Sequence, residues 1–382
     1  MRGRLVRGGG SASGLLVVDG ETGAPVCARA AGRQRPLASN MKLFTTSTAL
    51  SRLGPESRIA TRLETDGTVD SKGVLHGSLY LVGGGDPALG VPVFYNRFLG
   101  GLGTNLFLFK AQVREAGIDA VTGRLYADDS IFDRLRGVAD SGYATSPEIG
   151  PLSGLDFDSG YSSASGSGFA ADPALTAAAT LAQSLRGAGV RVSSGAALGT
   201  APPGSSEIAR VESPPLTEIV NTTDVYSDNH FAEMLIKLLG AHFGGAGSTA
   251  AGAKVVEQFA RGHGSGVHAV DGSGLTRSGR ASPTQIVGLL RAMRGTPAGE
   301  ELIQDMALAG HEGTVADRMH GTAAYGRCRT KTGTLTGVSN LSGYCFNRDG
   351  KVMIFSILMA GVRDLNLAHY EQDLIAGEAA GY

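Results

Sequence analysis

Strand-like segments at the two ends of the chain constrain its fold more than any other feature. Near the N-terminus, residues 14–19 and 25–31 are separated by a Glu-Thr-Gly string and are typical of a β-hairpin. Near the C-terminus, three strand-like runs and a helical segment follow one another, at 327–335, 339–346, 351–360 and 364–379. Because a hairpin and a three-strand meander can complete one antiparallel sheet covered by helices, the two ends of the chain are expected to meet.

The long middle region is therefore predicted to be an insertion. It contains short alternating strands, such as 76–83, and ends at the Pro/Gly/Ser-rich string 201–206, which is typical of a boundary. We predict a mixed α/β (α+β) fold in two parts. Residues 1–57 plus 207–382 would form a discontinuous domain, and residues 58–206 a smaller inserted domain.

Composition excludes several classes of protein. The chain has 382 residues, with 34 Lys and Arg against 35 Asp and Glu, and a net charge of −1. With no excess of positive charge to neutralise phosphates, we expect no nucleic-acid partner. No stretch approaches the ~20 apolar residues of a transmembrane helix. The basic N-terminus lacks the apolar core of a signal peptide, so neither segment is expected in this chain.

Three short strings carry the chemistry. They are S-x-x-K at 39–42, S-D-N at 227–229 and K-T-G at 331–333. Together they form the triple signature of serine acyl-transferases that react with penicillin. S-x-x-K alone is expected about 0.6 times by chance in this composition, but all three strings in this order are expected in well under about 1 in 1,000 such chains.

Each string also has an ordinary structural explanation. Ser39 would suit a helix N-cap, Asp228 an Asx turn in a loop, and Lys331 a solvated strand. These explanations are reasonable one at a time. The combination of the three strings is what favours an acyl-transfer site.

The predicted roles follow from what a serine needs in order to attack a carbonyl. Ser39 is the predicted nucleophile, and a hydroxyl attacks well only when a base removes its proton. Lys42 lies one helical turn away and would be that base if burial or a second cation lowers its pKa. Lys331 would supply the second cation. Ser227 and Asn229 would bridge the two sides, relaying a proton and holding the substrate amide.

The K-T-G strand is predicted to bind substrate. The backbone N–H groups of Ser39 and Thr334 would form an oxyanion hole on rigid elements. The hydroxyls of Thr332 and Thr334, with Lys331, suit the terminal carboxylate of a substrate, and Gly333 completes the motif.

Competing sites are poorly supported. The chain has no G-x-S-x-G elbow and no H-E-x-x-H zinc motif. The string GGGDPA at 83–88 resembles a phosphate loop only loosely, because an acidic residue follows its glycines. We therefore predict neither a metal nor an organic cofactor.

The sequence also resembles a known family over nearly its whole length. Blocks in the right order are similar to those of the class C low-molecular-mass penicillin-binding proteins, the D-alanyl-D-alanine carboxypeptidase/endopeptidases of the DacB type. The blocks are RPLASNMKLFTTSTAL, GSLYLVGGGDPAL, GRLYADDSIFD, YSDNHFAEMLIK, DGSGLTRSGRASP, LAGHEGTVADR and RTKTGTLTGVSNLSGY.

The resemblance implies a penicillin-binding/β-lactamase-like fold and a serine carboxypeptidase. Its substrates would be peptidoglycan stem peptides, from which it releases D-alanine through an acyl-enzyme on Ser39. If the leaving group is the amine of a peptide cross-link, the same reaction would be that of an endopeptidase. β-Lactams would be covalent inhibitors, and the location would be extracytoplasmic. Asp156 or Asp158 would either contact the distal ammonium of the peptide or cap a loop.

Two departures from the family pattern are expected. Only a Ser/Gly-rich stretch, 159–168, stands where the family usually has further β-rich sequence, so the inserted domain is predicted to be reduced. The family's export signal and first helix are also expected to have no counterpart in this chain. Two alternatives stay open: a β-lactamase or esterase on the same framework, and a non-catalytic relative that binds the cell wall.

The three cysteines yield a prediction of their own. If Thr336-Gly337 is a two-residue hairpin turn, Leu335 faces Val338. The residue numbers of every directly opposed pair in the hairpin then sum to 673. Cys328 and Cys345 have the same sum, so they would lie opposite each other at a distance that suits a disulfide. Cys27 would remain free. The alternative is two reduced cysteines packed beneath a helix.

Overall fold

The computed structural model describes residues 1–193 and 195–382, which form two compact units. The first unit comprises Met1–Pro55, Val220–Gly244 and Thr249–Tyr382. The second comprises Glu56–Ile219 and Gly245–Ser248. Within the described part of the chain, no helix has the length and apolar character needed to cross a membrane.

The α-helices of the described residues, in chain order, are α1 Arg2–Gly9, α2 Met41–Leu53, α3 Pro92–Phe98, α4 Phe109–Glu115, α5 Pro173–Gly187, α6 Leu216–Val225, α7 Asn229–Phe243, α8 Thr249–Gly262, α9 Pro283–Met293, α10 Pro297–Asp305 and α11 Leu365–Ala380. The strands are β1 Gly14–Asp19, β2 Pro25–Arg29, β3 Arg35–Pro36, β4 Ala60–Thr65, β5 Thr68–Val69, β6 Val74–His76, β7 Leu79–Val82, β8 Leu89–Gly90, β9 Thr104–Asn105, β10 Ala120–Val121, β11 Leu125–Asp128, β12 Ala196–Leu198, β13 Ser206–Glu212, β14 Arg280–Ala281, β15 Ala307–Leu308, β16 Cys328–Leu335, β17 Val338–Phe346 and β18 Val352–Ala360.

The first unit is built on an antiparallel sheet with the strand order β15-β16-β17-β18-β1-β2. Side chains alternate between its two faces, as the two-residue period of a strand requires. On one face, Val17 and Phe355 join a core with Leu5 of α1 and Ile375 of α11. On the other, the Tyr344 hydroxyl donates to the backbone of α9 at 2.7 Å. The sheet made from both chain ends, with helices on its faces, confirms the predicted fold.

The hairpin of β16 and β17 has the predicted register. Leu335 pairs with Val338 across the turn, and Cys328 pairs with Cys345 at the far end. The two cysteines form a disulfide with a Cα–Cα distance of 4.0 Å, and Cys27 is a free thiol. Both parts of the cysteine prediction are confirmed, because a two-residue turn leaves the pairing of an antiparallel hairpin no freedom.

The expectation that the first helix is missing is wrong. Helix α1 packs against α11, with Leu5 fully buried. Arg4 Nε donates to Glu378 at 2.6 Å, and Arg7 Nε lies 2.9 Å from Glu371. A short, glycine-rich segment has little helix propensity of its own, so its helicity depends on this packing, which the local sequence does not reveal.

The second unit contains a sheet with the order β12-β11-β7-β4-β13 and a smaller one with the order β10-β6-β5. Helices α4 and α5 contribute Phe109 and Leu181 to its core. The string 201–206 forms a turn that leads into β13, which pairs with β4. Strand pairing therefore places residues 207–212 with the second unit rather than beyond a boundary at 206. The assignment of the two units to a catalytic and an inserted domain stays a prediction.

Candidate active site

Ser39 lies in a 3-10 turn, Ala38–Asn40, that leads directly into α2. Polar contacts fasten this turn to the sheet. Asn40 Nδ2 donates to Lys331 O at 3.0 Å, and Ser342 Oγ donates to Asn40 Oδ1 at 2.7 Å. The first residue of the turn has a φ of 46°, a region that residues other than glycine rarely adopt. The surrounding contacts thus hold the partly exposed serine in a fixed position.

Lys42 is fully buried one turn along α2. Its Nζ donates to Ser39 Oγ at 3.2 Å, to Asn229 Oδ1 at 2.7 Å and to Ser273 O at 3.1 Å. Burial lowers the pKa of Lys42 to about 8, because the charged form loses its hydration. Nearby carboxylates oppose this lowering: Asp228, Glu233, Asp224 and Asp271.

The S-D-N string lies at the start of α7. Asp228 is the N-cap, and its Oδ1 accepts from Phe231 N at 2.9 Å. This cap places Asn229 at the first helical position, with its side-chain oxygen on Lys42. Ser227 has a left-handed φ of 61° just before the cap. The hydrogen bonds of the Lys42 amine go to Ser39, Asn229 and Ser273 rather than to Ser227.

Lys331 is also fully buried, on β16. Its Nζ donates to Thr332 O at 3.3 Å. Burial lowers the pKa of Lys331, the cation of Lys42 lowers it further, and the carboxylate of Asp224 opposes both effects. The structure therefore brings the two predicted lysines within electrostatic reach of each other.

Gly333 explains why the third string ends in glycine. A Cβ built on it would stand 3.0 Å from Ser39 N and 3.1 Å from Asn40 N, so the strand touches the turn of the serine through its backbone. Beside it, Thr332 Oγ1 donates to Thr314 Oγ1 at 2.8 Å, while Thr334 is exposed. The three strings therefore meet at one place in the first unit.

Sequence reasoning missed several residues of this site. Ser273 receives a hydrogen bond from Lys42 through its carbonyl, and its N–H donates to Glu233 Oε1 at 2.7 Å. Asp224 is buried and accepts from Thr46 Oγ1 at 2.9 Å. Ser273 and Thr314 lie in the family blocks DGSGLTRSGRASP and LAGHEGTVADR, which mark the segments but not the roles of these residues. Asp224 lies in none of the blocks, so nothing in the local sequence indicates it.

Asp156 and Asp158 lie buried in the second unit. Asp158 Oδ1 accepts from Val91 N at 2.9 Å, which is the loop-capping alternative. Burial raises the pKa of Asp158 to about 7.

Comparison with known proteins identifies the family. The sequence pattern of the D-Ala-D-Ala carboxypeptidase 3 (S13) family matches residues 7–165 and 163–380. The chain belongs to this S13 family. It is therefore a serine-type D-Ala-D-Ala carboxypeptidase, and the predicted family, enzyme class and reaction are confirmed.

Individual members and solved structures agree with this assignment. The D-alanyl-D-alanine carboxypeptidase of Actinomadura sp. strain R39 is 31% identical, over 92% of this chain and 78% of its own. Penicillin-binding protein 4 of Haemophilus influenzae has a TM-score of 0.83 at 20% identity, covering 100% of this chain and 99% of its own. A Bdellovibrio bacteriovorus predatory endopeptidase, acylated by penicillin G, has a TM-score of 0.54 at 18% identity, covering 96% and 90%. The two structural matches show the shared fold.

The two segments that match the S13 pattern meet at residues 163–165, within the Ser/Gly-rich stretch. This is where the inserted domain is predicted to be reduced. The reduction itself remains a prediction.

Proposed function

We propose that Ser39 is the nucleophile with which this enzyme removes the terminal D-alanine from peptidoglycan stem peptides. The observation that carries the proposal is the buried Lys42 amine, which joins Ser39 Oγ and Asn229 Oδ1 through hydrogen bonds. A neutral amine at this position takes the hydroxyl proton as the oxygen attacks the penultimate carbonyl. The protonated amine then gives that proton to the leaving amine, and water cleaves the acyl-enzyme.

The substrate itself helps to assign the two lysine charges. A terminal carboxylate beside Lys331 favours the charged form of that lysine, because opposite charges stabilise each other. A charged Lys331 lowers the pKa of Lys42 by repulsion, so substrate binding increases the fraction of Lys42 in the neutral form that can accept the Ser39 proton. Thr332 and Thr334 add hydroxyl groups for the same carboxylate.

The strand pairing supports an oxyanion hole at Thr334. Leu335 and Val338 flank the two-residue turn as a hydrogen-bonded pair, so the next residue, Thr334, directs its N–H away from β17. Among the described residues, β15 pairs with β16 through Thr330 and Arg329 and no strand pairs with this edge of β16 at Thr334. We assign the Ser39 and Thr334 N–H groups to the carbonyl oxygen, where two donors stabilise developing negative charge.

The acyl step is the same when the leaving amine belongs to a cross-link, which makes DD-endopeptidase activity part of this proposal. β-Lactams are proposed as covalent inhibitors, since they present a reactive carbonyl near a carboxylate. We also propose an extracytoplasmic location. The Cys328–Cys345 disulfide supports it, because such bonds persist in oxidising compartments.

Intact-mass spectrometry after incubation with penicillin tests the assignment. We expect one stable adduct on the wild-type protein, mapped to Ser39, and none on Ser39→Ala. Lys42→Ala is expected to keep the fold by circular dichroism and to lose acylation by at least about 100-fold, the usual minimum for removing a general base. D-Alanine release from a stem-peptide analogue should be lost in both variants.

Other outcomes point elsewhere. Rapid destruction of penicillin without a lasting adduct would favour a β-lactamase, and no reaction with either compound would favour a non-catalytic protein. Acylation of Ser39→Ala at the wild-type rate would refute the assignment of Ser39 as the nucleophile. Acylation of Lys42→Ala at the wild-type rate at neutral pH would refute the assignment of Lys42 as the base.

A further inference from the structure

The loop 271–274, with the sequence D-G-S-G, lies directly against the proposed nucleophile and its base. The Ser273 carbonyl accepts from Lys42 Nζ at 3.1 Å. A Cβ built on Gly274 would clash with Ala38 O, so the backbone of the loop touches the turn that carries the nucleophile. The position of this loop therefore decides where one acceptor of the base lies.

The hydrogen-bond partners of the Lys42 amine determine the direction of its lone pair. A neutral amine has two N–H groups and one lone pair, and its partners here are Ser39 Oγ, Asn229 Oδ1 and Ser273 O. The amide and carbonyl oxygens can only accept, so they take the two N–H groups. The lone pair is then left to face Ser39, the one partner of these three that has a proton to donate.

Glu233 fixes the loop that carries the Ser273 carbonyl. It is fully buried on α7, one helical turn after Asn229. Its Oε1 accepts from Gly272 N at 3.0 Å and from Ser273 N at 2.7 Å, and its Oε2 has no hydrogen-bond partner among the described residues. Burying a carboxyl group is costly, and the two bonds that offset this cost both go to the backbone of one loop.

We propose that Glu233 is a positioning residue for acylation. It holds the Ser273 carbonyl in place to accept one N–H of Lys42, which leaves the lone pair of that amine directed at the nucleophile. Because residues four apart lie on one face of a helix, α7 acts on the base both directly, through Asn229, and indirectly, through Glu233 and the loop. This inference rests on the proposed function, since it assumes acylation of Ser39 with Lys42 as the base.

The test is the rate of penicillin acylation of Glu233→Leu, followed by intact-mass spectrometry over time at several penicillin concentrations. Leucine offers no acceptor to the two N–H groups, so the loop should shift. We expect the rate at saturating penicillin to fall at least about ten-fold, because a misplacement of about 1 Å in an active site costs on the order of 100-fold. The half-saturating penicillin concentration should stay within about two-fold of wild type, since the change affects the reaction rather than binding.

Glu233→Gln is the conservative variant. Its amide oxygen can take the place of Oε1 and accept from the same two N–H groups, although the side chain has no charge. It should therefore retain the acylation rate within about three-fold of wild type, which is less than the loss of one hydrogen bond to the loop would cost at its upper end.

Two threonines of α2 provide a matched pair that leaves α7 unchanged. Thr45 Oγ1 donates to Gly272 O at 2.9 Å and so holds the same loop from a second helix, whereas Thr48 Oγ1 donates to Phe44 O of its own helix at 2.7 Å. Both are fully buried. Thr45→Val should slow acylation about three-fold, the effect of losing one hydrogen bond, and Thr48→Val should leave it unchanged.

The final extent of labelling separates positioning from misfolding, because each variant should still reach one adduct per molecule, only more slowly. An equal loss of rate in Glu233→Leu and Glu233→Gln would show that the charge matters rather than the bonds to the loop, and would overturn the inference. So would the wild-type rate in Glu233→Leu. If Glu233→Leu does not fold, the wild-type rate in Thr45→Val would overturn it instead. Absence of any Ser39 adduct on the wild-type protein would overturn the proposed function.

Discussion

Lys42 and Lys331 are both fully buried, yet the protein supports them differently. Lys42 has hydroxyl, amide and carbonyl oxygens within 3.2 Å, whereas Lys331 has one carbonyl at 3.3 Å. A buried amine with good acceptors can exist in either form, while a poorly supported one needs a nearby anion to stay charged. This difference between the two residues is what makes the substrate carboxylate important to the second lysine.

Gly333 offers a test of how closely the K-T-G strand must approach the nucleophile. In Gly333→Ala, the new methyl group would stand 3.0 Å from Ser39 N, so the turn or the strand must shift. A misplacement of about 1 Å in an active site costs on the order of 100-fold in rate, and the shift needed here is smaller than that. We expect Gly333→Ala to lose acylation by about ten-fold while the circular dichroism spectrum stays that of a folded protein.

Gly32→Ala is the matched control for this substitution. No atom lies within 4 Å of a Cβ built there, so acylation should be unchanged. Acylation of Gly333→Ala at the wild-type rate would show that the strand and the turn accommodate the methyl group without a harmful shift.

At the scale of elements, the β16–β17 hairpin is the best-predicted part of the molecule. Its two-residue turn fixes the register of every pair that follows, and the sequence alone supplies the number of residues on each side. The sequence does not predict the short helices α1, α3 and α10. Their local sequences carry weak or interrupted signals, and packing against neighbours decides their conformation.

The disulfide at the end of this hairpin should contribute to stability. Cys328 and Cys345 are 17 residues apart, and closing a loop of this size stabilises the folded state by about 3 kcal/mol. We expect the double variant Cys328→Ala, Cys345→Ala to unfold at a temperature several degrees lower, while Cys27→Ser unfolds like the wild type.

Thiol counting checks the bond directly. The denatured, non-reduced protein should react with one equivalent of a thiol reagent and the reduced protein with three. Three equivalents before reduction would contradict the disulfide.

At the scale of the whole molecule, the active site draws on segments nearly 300 residues apart in sequence. The motifs predicted Ser39, Asn229 and Lys331 because their chemistry constrains both residue type and spacing. Asp224, Ser273 and Thr314 contribute through a side chain or a backbone carbonyl that only the folded chain brings near. Family blocks contain Ser273 and Thr314 without indicating their contacts, and no motif contains Asp224, so the sequence alone does not place these residues at the site.

The second unit has a buried carboxyl that should make stability depend on pH. Burial raises the pKa of Asp86 to about 7, whereas an unfolded chain has a value near 3.9. Between these values the folded chain keeps a proton that the unfolded chain has lost, so stability falls as the pH rises from about 4 to about 7. Asp86→Asn has no such proton.

Thermal unfolding of Asp86→Asn and wild type across pH 4 to 8 checks this. We expect the unfolding temperature of the variant to rise relative to that of the wild type as the pH rises, by several degrees in all when pH 8 is reached. A difference that stays constant over the whole range would show that Asp86 titrates alike in both states.

The disulfide also makes the strand of Lys331 part of a covalent ring. The ring runs along β16, through the Thr336-Gly337 turn and back along β17 to Cys345. A protease that cuts at this turn would open the ring at one peptide bond, and the two pieces would stay joined through sulfur. On a denaturing gel the nicked protein would therefore migrate as a single band until a reductant is added, when it would separate into two.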